Sequence, residues 1–199
     1  MFVEPRFNNP STTHTGWIEV VCGSMFSGKT EELIRRVTRA LIAKQRVLIF
    51  KPSIDVRYDD KDVVSHNKNA VTSVPVNNAK EIYDHVSECD VVAIDEAQFF
   101  DNDLVEVCTE LANNGLRVIV CGLDMDFMGQ PFEPMPQLMS VAEFVTKLHA
   151  VCMKCGEPAQ FSYRFDASGE QVVLGESDVY EARCRKCYCE GMKTQKEVK

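Results

Sequence analysis

Gly23-Ser24-Met25-Phe26-Ser27-Gly28-Lys29-Thr30 is the stretch that decides how this chain is read. It fits G-x-x-x-x-G-K-[ST] at every position. In that pattern the glycines let the backbone close around phosphate oxygens with its N–H groups pointing inward. The helix that follows adds the positive end of its dipole. Lys29 is placed to reach terminal phosphates, and the Thr30 hydroxyl to ligate Mg²⁺. The same pattern also arises by chance, so its context matters. Upstream, Trp17 to Cys22 reads as a short apolar strand. Downstream, Leu33, Ile34, Val37 and Leu41 recur at helical spacing. Strand, glycine-containing loop and helix are the setting that a phosphate-binding loop requires.

Such a loop needs a metal-holding acid at the end of a neighbouring apolar strand. Val91-Val92-Ala93-Ile94 followed by Asp95 supplies one. Glu96 comes next, and two adjacent carboxylates can divide the labour. Asp95 would bind Mg²⁺, and Glu96 would act as a general base or orient the nucleophile. Further strands are expected at Arg46–Phe50, stopped before Pro52, and at Arg117–Cys121. Helices are expected at Lys80–Val86, at Asp103–Asn113 before Asn114-Gly115, and at Gln137–Leu148. The polar run from Asp55 to Lys68 reads as a loop. Strands that are apolar on both faces and alternate with helices predict an α/β fold. Its sheet would be parallel, of P-loop NTPase type, and flanked by helices.

The character of the sequence changes at Ala150. Beyond it come Cys, Lys, Arg and Gly, with short alternating strands at Phe161–Phe165 and Gln171–Leu174. A unit of about 40 residues rarely stands on its own core. Cys152-x-x-Cys155 and Cys184-x-x-Cys187 offer two thiolate pairs that would hold a tetrahedral structural Zn²⁺ and clamp the base of the loop between them. Cys189 is a spare or substitute ligand. The loop contains Phe161, Tyr163, Phe165 and Tyr180, which either build the small module's core or cover a flat ligand. The expected organisation is a flexible tail over 1–15, a nucleotide-binding domain over 16–150, a zinc-clamped module over 151–190, and a second tail over 191–199.

Composition narrows the function classes. The 199 residues carry 22 Lys+Arg against 30 Asp+Glu, a net charge of −8, which argues against a protein that coats nucleic acid. Nine cysteines with two C-x-x-C pairs fit a metal site in a reducing compartment rather than a secreted disulfide framework. No signal-peptide pattern opens the chain, and no apolar run approaches the length of a membrane span. The expectation is a soluble cytoplasmic protein.

These motifs, in this order, resemble those of the type II thymidine kinases, the cellular family. The resemblance rests on residues 23–30, on Asp95-Glu96-Ala97-Gln98-Phe99-Phe100, on Gly122-Leu123-Asp124-Met125-Asp126-Phe127 and on the two cysteine pairs. It runs from about Trp17 to Cys187. It implies ATP-dependent phosphorylation of the thymidine 5′-hydroxyl, a homotetramer, and feedback inhibition by the thymidine triphosphate. It makes Glu96 the catalytic base and groups Asp95 and Gln98 with the loop on the ATP side. Asp55 and Arg57 match the family's D-x-R loop near the acceptor hydroxyl and the phosphates. Met25, Phe99, Leu123, Phe127 and Phe132 match its nucleoside pocket. Ser162 and Tyr180 match the loop that closes over the base, called the lasso. The chain has Ser162 where Thr occurs in some members, and Gln171 at an often apolar position.

Two readings from other classes stand beside this one. A small P-loop ATPase acting on DNA would use the cysteine module as a zinc element, and a nucleotide-binding switch would need no acceptor at all. DNA-stimulated ATP hydrolysis, against ATP consumption driven by thymidine, separates them.

Overall fold

The structure is a computed structural model that describes residues 16–54, 62–64, 70–165 and 179–197. The 1–15 segment, Asp55, Arg57 and the strand expected at Gln171–Leu174 lie outside the described residues.

In chain order the elements are β1 (Trp17–Gly23), α1 (Lys29–Ile42), β2 (Val47–Pro52), β3 (Asp62–Val64), β4 (Ala70–Thr72) and β5 (Val74–Val76). There follow β6 (Val91–Ile94), α2 (Asp103–Asn113), β7 (Arg117–Gly122), α3 (Met135–Val141) and β8 (Phe144–Leu148). The C-terminal part holds β9 (Ala150–Val151), β10 (Pro158–Ala159), β11 (Phe161–Arg164), β12 (Tyr180–Arg183) and α4 (Arg185–Glu197). Six strands form one parallel sheet in the order β5-β2-β6-β7-β1-β8.

The apolar runs explain why the sheet is covered on both sides. Successive side chains of a strand point to opposite faces. In β6, Val92 and Ile94 join the core beneath α2 and α3, while Val91 and Ala93 pack under α1. In β7, Val118 and Val120 take the first face, and Ile119 and Cys121 the second. Buried Leu33, Ile34, Val37 and Ala40 are the apolar stripe of α1. Leu41, expected in that stripe, is 49% exposed. The helix instead buries Arg36 completely. Its guanidinium donates to Glu19 of β1 at 2.8 Å and to Thr146 of β8 at 3.0 Å. Glu19 also accepts from Arg117 at 2.7 Å and from the Trp17 indole at 2.7 Å, so the buried carboxylate is fully paired. This polar cluster ties β1, β7, β8 and α1 together.

Some boundaries differ from the sequence expectation. The helix expected over Gln137–Leu148 ends at Val141, and Phe144–Leu148 is the sixth parallel strand. Here Phe144, Thr146 and Leu148 are half-buried and Val145 and Lys147 exposed, a period of two rather than 3.6. Strand β2 includes Pro52, because its pairing with β6 ends at Phe50. Residues Ala79–Asp84 form a 3₁₀ helix rather than an α-helix, and Asn78 caps it by accepting from the Glu81 N–H. A short antiparallel pair, β3 with β4, falls in and beside the polar stretch expected to be a loop. Helix α4 continues to Glu197, through most of the 191–199 stretch.

Parallel strands bring their carboxyl ends to one rim, which is where open α/β sheets bind ligands. At this rim the adjacent strands β6, β7 and β1 end in Asp95, in Gly122-Leu123 and in the glycine loop.

Candidate active site

The loop from Gly23 to Thr30 turns directly into α1. Gly28 caps the helix in a left-handed conformation, with φ 82°. Lys29 Nζ donates to the Ser24 carbonyl at 2.9 Å, which folds the amine back over the loop. The hydroxyls of Ser24 and Ser27 are buried without a hydrogen-bond partner. Buried polar atoms are nearly always paired, so orphans here call for a ligand rich in acceptors. A helix N-terminus, a lysine, two free hydroxyls and Thr30 are the donor set of a polyphosphate and its Mg²⁺, and the residues fit that group.

Asp95 follows β6 and is buried, accepting from the Glu96 N–H at 2.9 Å. Burial, and next the charge of Glu96, push its carboxyl up to about 7, against a hydrogen bond from the Cys121 thiol. A carboxylate that is this costly to ionise alone is stabilised by a divalent cation beside it. Glu96 stands in the left-handed region at φ 52°, unusual for a residue with a side chain. Gln98 holds it there: the Gln98 amide nitrogen donates to Glu96 Oε2 at 2.5 Å. The other end of the same amide accepts from the Leu123 N–H at 2.9 Å. Gly122 leaves room for this, because a Cβ there would come within 2.9 Å of Gln98 Oε1 and 2.8 Å of Met135 Sδ. Gln98 therefore links Glu96 to the end of β7.

Beyond Leu123 the chain makes a tight loop. Phe132 N donates to the Asp124 carbonyl at 3.1 Å, and Asp126 N to the Gln130 carbonyl at 2.9 Å. The loop carries Leu123, Phe127 and Phe132, and Phe132 meets Phe99 edge-to-face with centroids 6.2 Å apart. Asp124 is ion-paired with Lys147 through one oxygen, and its other oxygen is buried without a partner.

The C-terminal module packs against the same rim. Strand β11 alternates: Phe161 and Tyr163 pack with Tyr188 of α4, while Ser162 and Arg164 face the larger module. Ser162 Oγ accepts from the Met25 N–H at 3.0 Å, which joins the strand to the phosphate loop. The Arg164 guanidinium lies 3.5 Å from the centre of the Phe127 ring. Phe161 and Tyr163 thus serve the module's own core, Phe165 is 47% exposed, and Tyr180 is buried. Nothing in the sequence signals Arg164 beyond its alternate position in an aromatic strand. Nor does the sequence single out Tyr188, which directly follows Cys187.

Cys152, Cys155, Cys184 and Cys187 place their sulfurs within 4.8 Å of one another. Cys155 Sγ and Cys184 Sγ are 3.6 Å apart. That is too long for a disulfide and close to the roughly 3.8 Å edge of a tetrahedron with 2.3 Å Zn–S bonds. Burial raises the Cys152 thiol, but backbone N–H groups of Cys184, Lys154 and Cys155 directed at its sulfur together outweigh this and bring it down to about 6. The four thiols fit a closed structural zinc centre. Phe26 of the phosphate loop packs against the small cluster of Ala150, Cys152, Ala159 and Ala182, so the two modules are also joined by apolar contact. Cys189 is exposed and outside the cluster.

Of the residues expected at the site, all but Asp55 and Arg57 fall in the described part. A glycine-cradle loop, a buried acid after a central strand and a neighbouring carboxylate define the class of P-loop nucleotide-binding proteins. A family model described as Thymidine kinase matches residues 16–188, and the chain belongs to the thymidine kinase family. It is 62% identical over 173 residues to the thymidine kinase of Rhodothermus sp., covering 87% of this chain and 81% of that one. To the Bacteroides thetaiotaomicron thymidine kinase it is 59% identical over 177 residues, 89% of each chain. The Porphyromonas gingivalis thymidine kinase is 58% identical over 188 residues, 94% of this chain and 92% of that one. Membership makes the protein a kinase. Among the described residues no helix is long and apolar enough to cross a membrane.

Proposed function

We propose that this chain transfers the terminal phosphoryl group of ATP to the 5′-hydroxyl of thymidine, and of deoxyuridine, for pyrimidine salvage. The observation that carries the reading is the amide of Gln98. It links the Glu96 carboxylate to the loop that bears Leu123, Phe127 and Phe132, so the base stands at the edge of an aromatic pocket. A hydrolase or a nucleotide switch has no use for a general base built into the wall of a flat-ligand site.

Phosphoryl transfer depends on positioning and charge neutralisation more than on covalent help. Residues 23–30 bind the ATP phosphates through backbone N–H groups, and Lys29 neutralises the terminal ones. Thr30 and Asp95 hold Mg²⁺, which supplies further neutralisation of phosphate charge. Glu96 accepts the proton of the attacking hydroxyl. Asp55 and Arg57 are assigned by resemblance to the acceptor hydroxyl and the phosphates. Met25, Phe99, Leu123, Phe127 and Phe132 enclose the nucleoside, and Ser162 and Tyr180 close the lasso side and exclude water.

The division into a nucleotide-binding domain over 16–150 and a lasso module over 151–190 belongs to the same reading. So do a structural zinc, a homotetramer, feedback inhibition by the thymidine triphosphate and a cytoplasmic location. The test is a panel of the four common deoxynucleosides with ATP-Mg, following nucleoside monophosphate formation. Thymidine should lead, because a site built to hydrogen-bond one base rejects analogues that leave its groups unpaired. Comparable efficiency with deoxyadenosine, or ATP consumption driven by DNA instead, would overturn it.

A further inference from the structure

The loop that carries Leu123, Phe127 and Phe132 does not stand alone. Its tip rests on the C-terminal module through Tyr188. This residue lies in the first turn of α4, where its N–H donates to the Cys184 carbonyl at 2.9 Å. Its ring stacks on Phe161, with centroids 4.4 Å apart and an interplanar angle of 16°. Its hydroxyl donates to the Phe127 carbonyl at 2.8 Å. The approach is close because residue 129 is a glycine at φ 72°, where a Cβ would come within 3.3 Å of the Tyr188 oxygen and 3.4 Å of the Phe161 ring. Met125 packs on the same aromatic cluster. Phe127 is therefore gripped twice from the C-terminal module: on its ring face by Arg164 and on its carbonyl by Tyr188.

We propose that Tyr188 is a positioning residue for the nucleoside site, holding the Phe127 carbonyl so that the 123–132 loop presents Phe127 to the base. The inference rests on the proposed function, in which that loop lines the nucleoside pocket. It gives the cysteine cluster a route to the acceptor site that is separate from its apolar contact with Phe26 of the phosphate loop. The Cys184 and Cys187 pair fixes the first turn of α4, α4 aims Tyr188, and Tyr188 fixes Phe127. No contact of Tyr188 with the phosphate loop is needed.

Tyr188→Phe removes the hydroxyl and keeps the stack. One hydrogen bond of this kind corresponds to roughly a 3–10-fold effect. The expected result is a rise of that size in KM for thymidine and in its calorimetric dissociation constant. KM for ATP and zinc content should be unchanged, and kcat should stay within about twofold. Gly129→Ala attacks the same contact from the loop side and leaves α4 intact. It should reproduce the thymidine-only defect, and the double variant should show less than the product of the two. Unchanged thymidine affinity in both variants, or equal losses for thymidine and ATP, would overturn the proposal. A wild-type protein that gives no heat with thymidine would overturn the proposal together with the functional reading, and is distinguishable because no variant is needed to see it.

Discussion

Glu96 and Asp95 are neighbours in sequence with opposite needs. In the proposed reaction Glu96 must stay available to take a proton, and Gln98 and the left-handed backbone hold its carboxylate. Glu96→Gln keeps the shape and removes the base, so turnover should fall about 10²–10⁴-fold while ATP still binds. Steady-state kinetics beside calorimetric titration of ATP checks this, and wild-type turnover would remove Glu96 from the mechanism. Asp95 is held well above the ordinary carboxylate range by burial and by Glu96. A folded-state pKa raised above the unfolded value contributes stability that is complete below about 4 and lost as pH rises towards 7. With Mg²⁺ absent and the cysteine site left loaded, Asp95→Asn should therefore melt higher than wild type at pH 8, by several degrees, with the gap closing towards pH 5. Melting curves across that range test the sign. A gap that widens on acidification would contradict the burial argument.

At the level of elements, the cluster of Glu19, Arg36, Arg117 and Thr146 joins β1, α1, β7 and β8. Arg36→Ala leaves Glu19 paired with Arg117 but strips its charge-assisted hydrogen bond from Arg36 and empties a fully buried side-chain site, at about 2–5 kcal/mol. Arg36→Ala should lose about that much in urea unfolding, and a loss under 1 kcal/mol would show the cluster to be solvated. This cluster also marks where the sequence misleads. Arg36 occupies the position beside a helix stripe that charge alone assigns to solvent, and only the carboxylate of β1 below it makes burial possible. Strand β8 failed for a related reason: Gln137–Leu148 has enough apolar residues for a helix, and the β-branched alternation after Phe144 is too short to stand out. Strands β1, β6 and β7 were legible because burial on both faces demands unbroken apolar runs. The loop, Asp95, Glu96 and the four cysteines were legible because chemistry fixes their spacing. Gln98, Arg164 and Tyr188 act across the fold, through contacts that no local pattern announces.

Across the whole molecule, the proposed active site is the seam between the sheet rim that carries residues 23–30 and the cysteine-bearing C-terminal module. The two are joined by Ser162 on Met25, by Phe26 against the cluster of Ala150, Cys152, Ala159 and Ala182, and by Arg164 and Tyr188 on Phe127. Cys155→Ser should release the metal, since a closed four-thiolate site needs every ligand. Thymidine affinity should then collapse. ATP affinity should fall far less, because the backbone of residues 23–30 is carried by β1 and α1, although Phe26 loses its seat. Zinc content and titrations of both ligands on one sample decide it. Unchanged zinc content would refute the ligand set, and lost zinc with normal thymidine affinity would refute the seam.

The central claim is transfer from ATP to an acceptor hydroxyl at this seam, with Glu96 as base. Its most direct test is to follow the γ-phosphate of labelled ATP with Mg²⁺ and thymidine, for the wild-type protein and Glu96→Gln side by side. The account predicts that the wild type moves label into thymidine 5′-monophosphate and that the variant, still binding ATP, moves at least about a hundredfold less. Label released only as inorganic phosphate, at a rate thymidine does not change, would contradict it.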